Sequence, residues 1–205
     1  MIRETFNNTW LGILGLILTI STGVQSQDPY WLKSWNEAYK SKPKTLSSVS
    51  RITSKEELGI PFVIKGKVFT PDGSPVKNVI VHAYHRDVQG FDFGKDDKEL
   101  STWRPQGWVK TDAKGNFQFN TIRPAPDHLG REGAHIHFTL LTEKFGRQWA
   151  PTVYFADDPK VNADKRARAK KAGKFSWLVE VSESEGVQFI QVNIQIKNSQ
   201  TFRMK

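Results

Sequence analysis

Two histidines separated by one residue, His135 and His137, are the strongest chemical signal in the sequence. They lie in the run AHIHFTLLT, which reads as a β-strand, so both imidazoles project from one face and Ile136 projects from the other. This spacing lets two nitrogen donors reach one metal ion at about 2.0–2.1 Å. We therefore predict that the pair binds a metal.

The composition restricts the other ligands of this metal. The chain has no cysteine among its 205 residues, which excludes thiolate ligands and disulfides. Asp127 follows two prolines in a bend just upstream of the pair, from which a loop can reach over the strand. His82 and His85 lie on opposite faces of another predicted strand, so at most one of them can join the site.

Short strands must hold these residues in place. From Pro61 onward the sequence consists of short alternating runs broken by turn residues, which is typical of all-β domains. No long amphipathic helix competes, so we predict an all-β fold in the form of a two-sheet β-sandwich. We expect strands over 62–69, 79–85, 134–142, 150–155, 175–181 and 187–197, and a hairpin over 107–122 that turns at Asp112–Gly115.

The N-terminal region has the pattern of a secretion signal. Residues 1–26 combine a short polar start, the apolar run WLGILGLILTI and a stretch of small and polar residues. The apolar run is shorter than the roughly 20 residues that span a bilayer. We expect cleavage, export to the periplasm or the exterior, and no stable membrane insertion afterwards.

The remaining chain divides into an N-terminal extension and the sandwich domain. Residues 27–60 carry Trp31, Trp35 and Tyr39 at roughly helical spacing, which predicts a short helix followed by an extended arm that packs on the body. Residues 61–205 are predicted to form the β-sandwich.

The net charge does not indicate a nucleic-acid partner. The formal charge is +9, which favours anionic partners without specifying one. The basic stretch over residues 160–174 has neither interleaved aromatics nor a known binding motif. We interpret it as a solvated helix or loop face and expect no nucleic-acid binding.

Four segments, taken in order, resemble the catalytic domain of the intradiol ring-cleavage dioxygenases. They are GKVFTPDGSPVKNVIVHAYHRDVQGFDF, GWVKTDAKGNFQFNTIRPAPD, AHIHFTL and APTVYFADDP. The first is common in secreted sandwich domains, whereas the T-I-x-P bend, the H-I-H-F strand and the T-x-Y-F segment are more specific. The similarity covers about residues 61–197.

The resemblance implies a ferric ion held by two tyrosines and two histidines. In the family this ion binds a catechol, and dioxygen is inserted to open the ring between the two hydroxylated carbons. His135 and His137 match the two histidine ligands. The two tyrosine positions carry Asp92 and Asp127 in this chain, although Asp127 also suits a plain turn.

The resemblance also implies an arginine three residues before the histidine strand. Glu132 occupies that position, and Arg131, one residue earlier, is the expected catalytic arginine. Aspartates at both tyrosine positions indicate a metal site with altered ligands. Two histidines with one or two carboxylates are typical of nonheme Fe(II) sites and also suit Mn or Zn.

Three functions are compatible with these residues. The first is a nonheme iron-dependent, intradiol-type dioxygenase-like oxidoreductase that acts on a catechol-like aromatic substrate with dioxygen. The second is a non-catalytic secreted module that binds a metal, a glycan or a partner protein. The third is a metal-dependent hydrolase. The resemblance further allows a homo-oligomer.

We expect the purified protein to contain close to one metal ion per chain and His137→Ala to remove it, because one imidazole alone is a weak anchor. Elemental analysis measures this. With aspartates at the tyrosine positions, the visible spectrum should lack an intense tyrosinate-iron band. A metal-free wild type would contradict the site, and such a band would contradict the aspartate assignment.

Overall fold

The computed structural model describes residues 28–94 and 100–203. The predicted secretion signal over residues 1–26 lies outside these ranges and stays a prediction. In the part of the chain that is described, no helix is long and apolar enough to cross a membrane.

Strands dominate the described ranges. In chain order they are β1 Val49–Arg51, β2 Pro61–Phe69, β3 Ile80–His85, β4 Gln106–Lys110, β5 Asn116–Ile122, β6 His135–Thr142, β7 Gly146–Trp149, β8 Val153–Phe155, β9 Leu178–Val179, β10 Ser182–Ser184 and β11 Val187–Gln195. Helix α1 covers Pro29–Lys40, helix α2 covers Ala163–Lys171, and a short 3-10 helix covers Gly173–Phe175.

The described strands form two sheets. One has the order β1-β5-β2-β11-β10, and the other has the order β4-β3-β6-β8-β9 with β7 beside β6. Apolar side chains from both sheets form one buried cluster, in which Ile64 of β2 and Phe138 of β6 are almost fully excluded from solvent. The predicted two-sheet β-sandwich is therefore confirmed, and the predicted arm joins it through β1, which pairs with β5.

The predicted hairpin over 107–122 is wrong. The turn at Asp112–Gly115 exists, and the Asp112 carboxylate accepts the N–H groups of Lys114 and Asn116, each at 2.8 Å. However, β4 pairs with β3, whereas β5 pairs with β2 in the other sheet. The turn therefore carries the chain between sheets, and alternation with a tight turn looks the same in sequence for both connections.

Helix α1 covers the outer face of the six-stranded sheet. Asp28 caps it by accepting the N–H of Tyr30 at 2.9 Å, and Pro29 suits the first turn. Trp35 is fully buried, and its indole N–H donates to Thr139 Oγ1 of β6 at 3.0 Å. Trp31 donates to the Tyr84 hydroxyl of β3 at 2.8 Å. The aromatic spacing of the extension thus serves packing.

His82 and His85 lie on opposite faces of β3, as predicted. His82 stacks on Trp108 at 4.2 Å on the outer face, and its Nε2 lies 3.0 Å from Gln106 Oε1. His85 faces the interior, where its Nε2 lies 2.7 Å from Thr121 Oγ1 of the other sheet. Burial lowers the pKa of His82 to about 3 and that of His85 to about 4. Both are therefore neutral structural residues.

Trp35→Ala should lower the free energy of unfolding by about 3–5 kcal/mol, because it removes a fully buried indole and its bond to β6. Denaturant titration measures the loss. Tyr30→Ala is the matched control on the same helix, since Tyr30 is 81% exposed, and it should change stability by less than about 0.5 kcal/mol. Equal effects would contradict the packing role of α1.

Stability should fall as the pH decreases from 7 towards 4. The folded pKa values of His82 and His85 lie below the ordinary value of 6.5. Between these values the unfolded chain binds more protons than the folded one, at a cost of up to about 1.4 kcal/mol per pH unit for each histidine. Urea midpoints at pH 7, 6 and 5 measure how steeply stability depends on pH. His82→Gln should reduce this slope by an amount that corresponds to close to one bound proton. A flat profile would contradict this.

Candidate functional site

His135 and His137 project from the outer face of β6, while Ile136 between them is fully buried in the core. Their Nε2 atoms lie 3.0 Å apart, and their rings are perpendicular. The predicted projection of both imidazoles from one face is confirmed. This separation suits either a shared proton or two neighbouring ligands of one metal ion.

The surroundings of the pair fit metal ligation at two positions. The His135 Nδ1–H donates to the Gly133 carbonyl at 2.7 Å, so the Nε2 atom of His135 carries the free lone pair. His137 Nδ1 lies 3.3 Å from Thr152 Oγ1, and the Nε2 atom of His137 faces the Nε2 atom of His135. Two ligands at right angles, each about 2.0–2.1 Å from a metal, lie about 2.9 Å apart. Outer hydrogen bonds of this kind orient metal-binding histidines.

Burial keeps both imidazoles neutral at physiological pH. It lowers the pKa of His137 to about 3, with the charge of Arg86 and the neighbouring His135 acting in the same direction. The pKa of His135 is also lowered by burial, although its bond to Gly133 opposes the shift. Neutral imidazole is the form that binds a metal.

Arg86 brings a positive charge directly to the pair, and no feature of the sequence indicates this. It follows β3, whose antiparallel register places His85 opposite Ile136 of β6. Its Nη1 lies 3.5 Å from His135 Nε2, and its Nε lies 3.2 Å from an Asp92 oxygen. Only the pairing of the two strands places Arg86 here, and that pairing is not readable from local sequence.

Two carboxylates flank the guanidinium of Arg86. Asp92, a predicted ligand, forms the ion pair with Nε. Glu132, noted in the sequence only as the replacement of an arginine, lies 3.5 Å from Nη1 and 3.8 Å from His135 Nε2. Glu132 is therefore a carboxylate near the pair that the sequence prediction did not include among the ligands.

Asp127 holds the loop that leads into β6. Its two carboxylate oxygens accept the backbone N–H groups of Arg131 at 2.9 Å and Glu132 at 2.7 Å. Against the opposing effect of desolvation, these bonds hold the pKa of Asp127 below its ordinary value. Arg131 itself is exposed. Asp127 thus positions Glu132, as a turn-forming aspartate does.

The described part of the chain contains no complete set of metal ligands at the pair. Within residues 28–94 and 100–203, no three His, Cys, Asp or Glu side chains are grouped so that they hold a metal ion. The two imidazoles fit iron, and further ligands have to come from a rearranged carboxylate, from water or from substrate. The ligand roles of Asp92 and Asp127 and the catalytic role of Arg131 stay predictions.

Aromatic rings enclose the buried side of the pair. Tyr84 stacks between Trp103 at 3.8 Å and His137 at 4.7 Å. Burial raises the pKa of Tyr84 well above its ordinary value, so its hydroxyl stays protonated and accepts the bond from Trp31. Tyr154 lies 5.3 Å from the His135 ring. These rings fix the imidazoles in orientation.

Comparison with known proteins finds the family that the four sequence segments resemble. A family model described as Dioxygenase matches residues 36–198. Catechol 1,2-dioxygenase 2 of Acinetobacter lwoffii is 26% identical over 158 residues, which are 63% of this chain and 57% of that protein. The protocatechuate 3,4-dioxygenase beta chain of Burkholderia cepacia is 31% identical over 117 residues, 53% of this chain and 50% of that protein. The chain thus spans about half of the length of these relatives.

Solved structures share the fold. Catechol 1,2-dioxygenase from Acinetobacter sp. ADP1 superposes with a TM-score of 0.58 at 18% identity, over 87% of this chain and 77% of that one. The dioxygenase domain of a carbohydrate-binding fusion from Streptomyces sp. SirexAA-E gives 0.55 at 20% identity, over 76% and 92%. Because the family model covers most of the chain, this protein belongs to the intradiol ring-cleavage dioxygenase family.

Proposed function

We propose that this protein is an exported, nonheme iron-dependent oxidoreductase of the intradiol dioxygenase type that acts on a catechol-like aromatic substrate with dioxygen. The observation that carries the proposal is the pair of neutral imidazoles with Nε2 atoms 3.0 Å apart. Family membership supports an oxygenase at this position rather than an unrelated metal site.

His135 and His137 would hold the iron through their Nε2 atoms, since both Nδ1 atoms face other partners. Bound iron supplies the means to bring a catechol and dioxygen together. The ligand set that these residues offer suits Fe(II), and Mn or Zn as well, because imidazole and carboxylate are borderline and hard donors.

The other residues would handle protons and orientation. Asp92 is proposed as the base toward a phenolic hydroxyl, because its ion pair with Arg86 holds it near the histidines, whereas both oxygens of Asp127 accept backbone N–H groups. The stacked ring of Tyr84 keeps the His137 imidazole in one plane. Since the His135 imidazole is already fixed by Gly133, little reorganisation is needed when the ion binds.

A second candidate function is a non-catalytic binding module. The observation that favours it is Arg86, whose guanidinium is paired with Asp92 and lies 3.5 Å from His135 Nε2. An arginine cannot act as a metal ligand, because it has donors and no acceptor. In this alternative the family fold is kept while the iron chemistry is absent.

Oxygen uptake by the iron-reconstituted protein tests the first proposal. Catechol and a carboxylated catechol should be consumed with loss of aromatic absorbance, and His137→Ala should lower the rate by at least about 100-fold, because it removes an iron-binding imidazole. His128→Asn replaces an exposed histidine and serves as the control, with a rate close to wild type. Stoichiometric iron without oxygen uptake would favour the binding module.

A further inference from the structure

Arg86 places a positive charge directly beside the histidine pair. Its guanidinium contacts two carboxylates through different nitrogens, Nε to Asp92 at 3.2 Å and Nη1 to Glu132 at 3.5 Å. Nη1 also lies 3.5 Å from the Nε2 atom of His135. The side chain of Arg86 is only 17% exposed, so the charge is held within the site.

We propose that Arg86 is a built-in competitor for the metal, which occupies the negative surroundings of the pair and lowers its metal affinity. This inference rests on the proposed function, because it assumes that His135 and His137 are the metal-binding pair. It assigns to Arg86 a role that acts on metal loading and not on the chemical step.

Electrostatics supports competition. A metal ion about 2.0–2.1 Å from His135 Nε2 would lie within about 6 Å of the Arg86 Nη1 atom, which is 3.5 Å from the same nitrogen. The guanidinium and a bound metal ion are both positively charged, so they repel each other at short range in a partly buried site. Asp92 and Glu132 neutralise whichever cation is present.

The geometry also shows how a metal can displace Arg86. Glu132 is 54% exposed, and its contact with Arg86 is long for an ion pair. It lies 3.8 Å from His135 Nε2, so a small rotation transfers its carboxylate from the arginine to an ion on the histidines. Asp92 lies closer to the guanidinium and would keep Arg86 as it moves outward. When the metal binds, Glu132 therefore exchanges the Arg86 guanidinium for the metal ion as its partner.

Metal titration of the chelator-stripped protein tests this proposal. Calorimetry with Zn(II), which has no redox chemistry, should show at least about tenfold tighter binding to Arg86→Met than to wild type, because the competing charge is gone. Arg123→Met is the matched control, since Arg123 is also 17% exposed and paired with an aspartate, Asp157, at 2.7 Å. It should leave the affinity unchanged.

Two further variants make the result specific. Adding His137→Ala to Arg86→Met should abolish the gain, which locates the metal on the histidine pair. Arg86→Gln removes the charge but keeps a polar side chain, and it replaces Arg86→Met if that variant does not fold. Tighter Zn(II) binding should also raise the melting temperature more in the Arg86 variants than in wild type.

The outcomes separate this proposal from the proposed function. Equal or weaker binding to Arg86→Met, with metal still lost in His137→Ala, overturns the competition and leaves the iron site intact. Tight binding to Arg86→Met, with a wild type that takes up no iron, supports the competition and overturns the iron-dependent function. Absence of binding in every variant overturns both.

Discussion

The antiparallel pairing of β3 with β6 is the constraint on which the site depends. Its register places Tyr84 opposite His137 and His85 opposite Ile136. Because side chains alternate along each strand, the same two strands bury one row in the core and present the other on the outer face. The stacked tyrosine, the two imidazoles and Arg86 are consequences of this single register, and a slip by one residue would send the imidazoles into the core.

The outer face of this sheet is shared between packing and chemistry. At one end, α1 covers it with tryptophans that donate to Thr139 and Tyr84. At the other end, His135 and His137 stand beside the loop that Asp127 fixes. Tyr84 belongs to both regions, since it accepts from the helix and stacks on His137. The N-terminal extension therefore supports the site through the ring of Tyr84.

Charge in the site is held mainly by groups that are already paired. The imidazoles are kept neutral by burial. The two aspartates that are predicted to stand at the tyrosine positions have local partners, Arg86 for Asp92 and backbone N–H groups for Asp127. A carboxylate that is already paired contributes less net free energy to metal binding than an unpaired one, because it must first lose its partner. The histidines are thus prepared for a metal, whereas the carboxylates are engaged elsewhere.

The sequence by itself determined the class of the fold, the strand that carries the histidines and their common face, because period-two alternation and turn residues are local properties. It also identified the helix that Trp31 and Trp35 anchor. It did not determine that β4 and β5 lie in different sheets, or that Arg86 and Glu132 meet His135. Those facts depend on which strands become neighbours, and only the burial of both sheets against each other decides that.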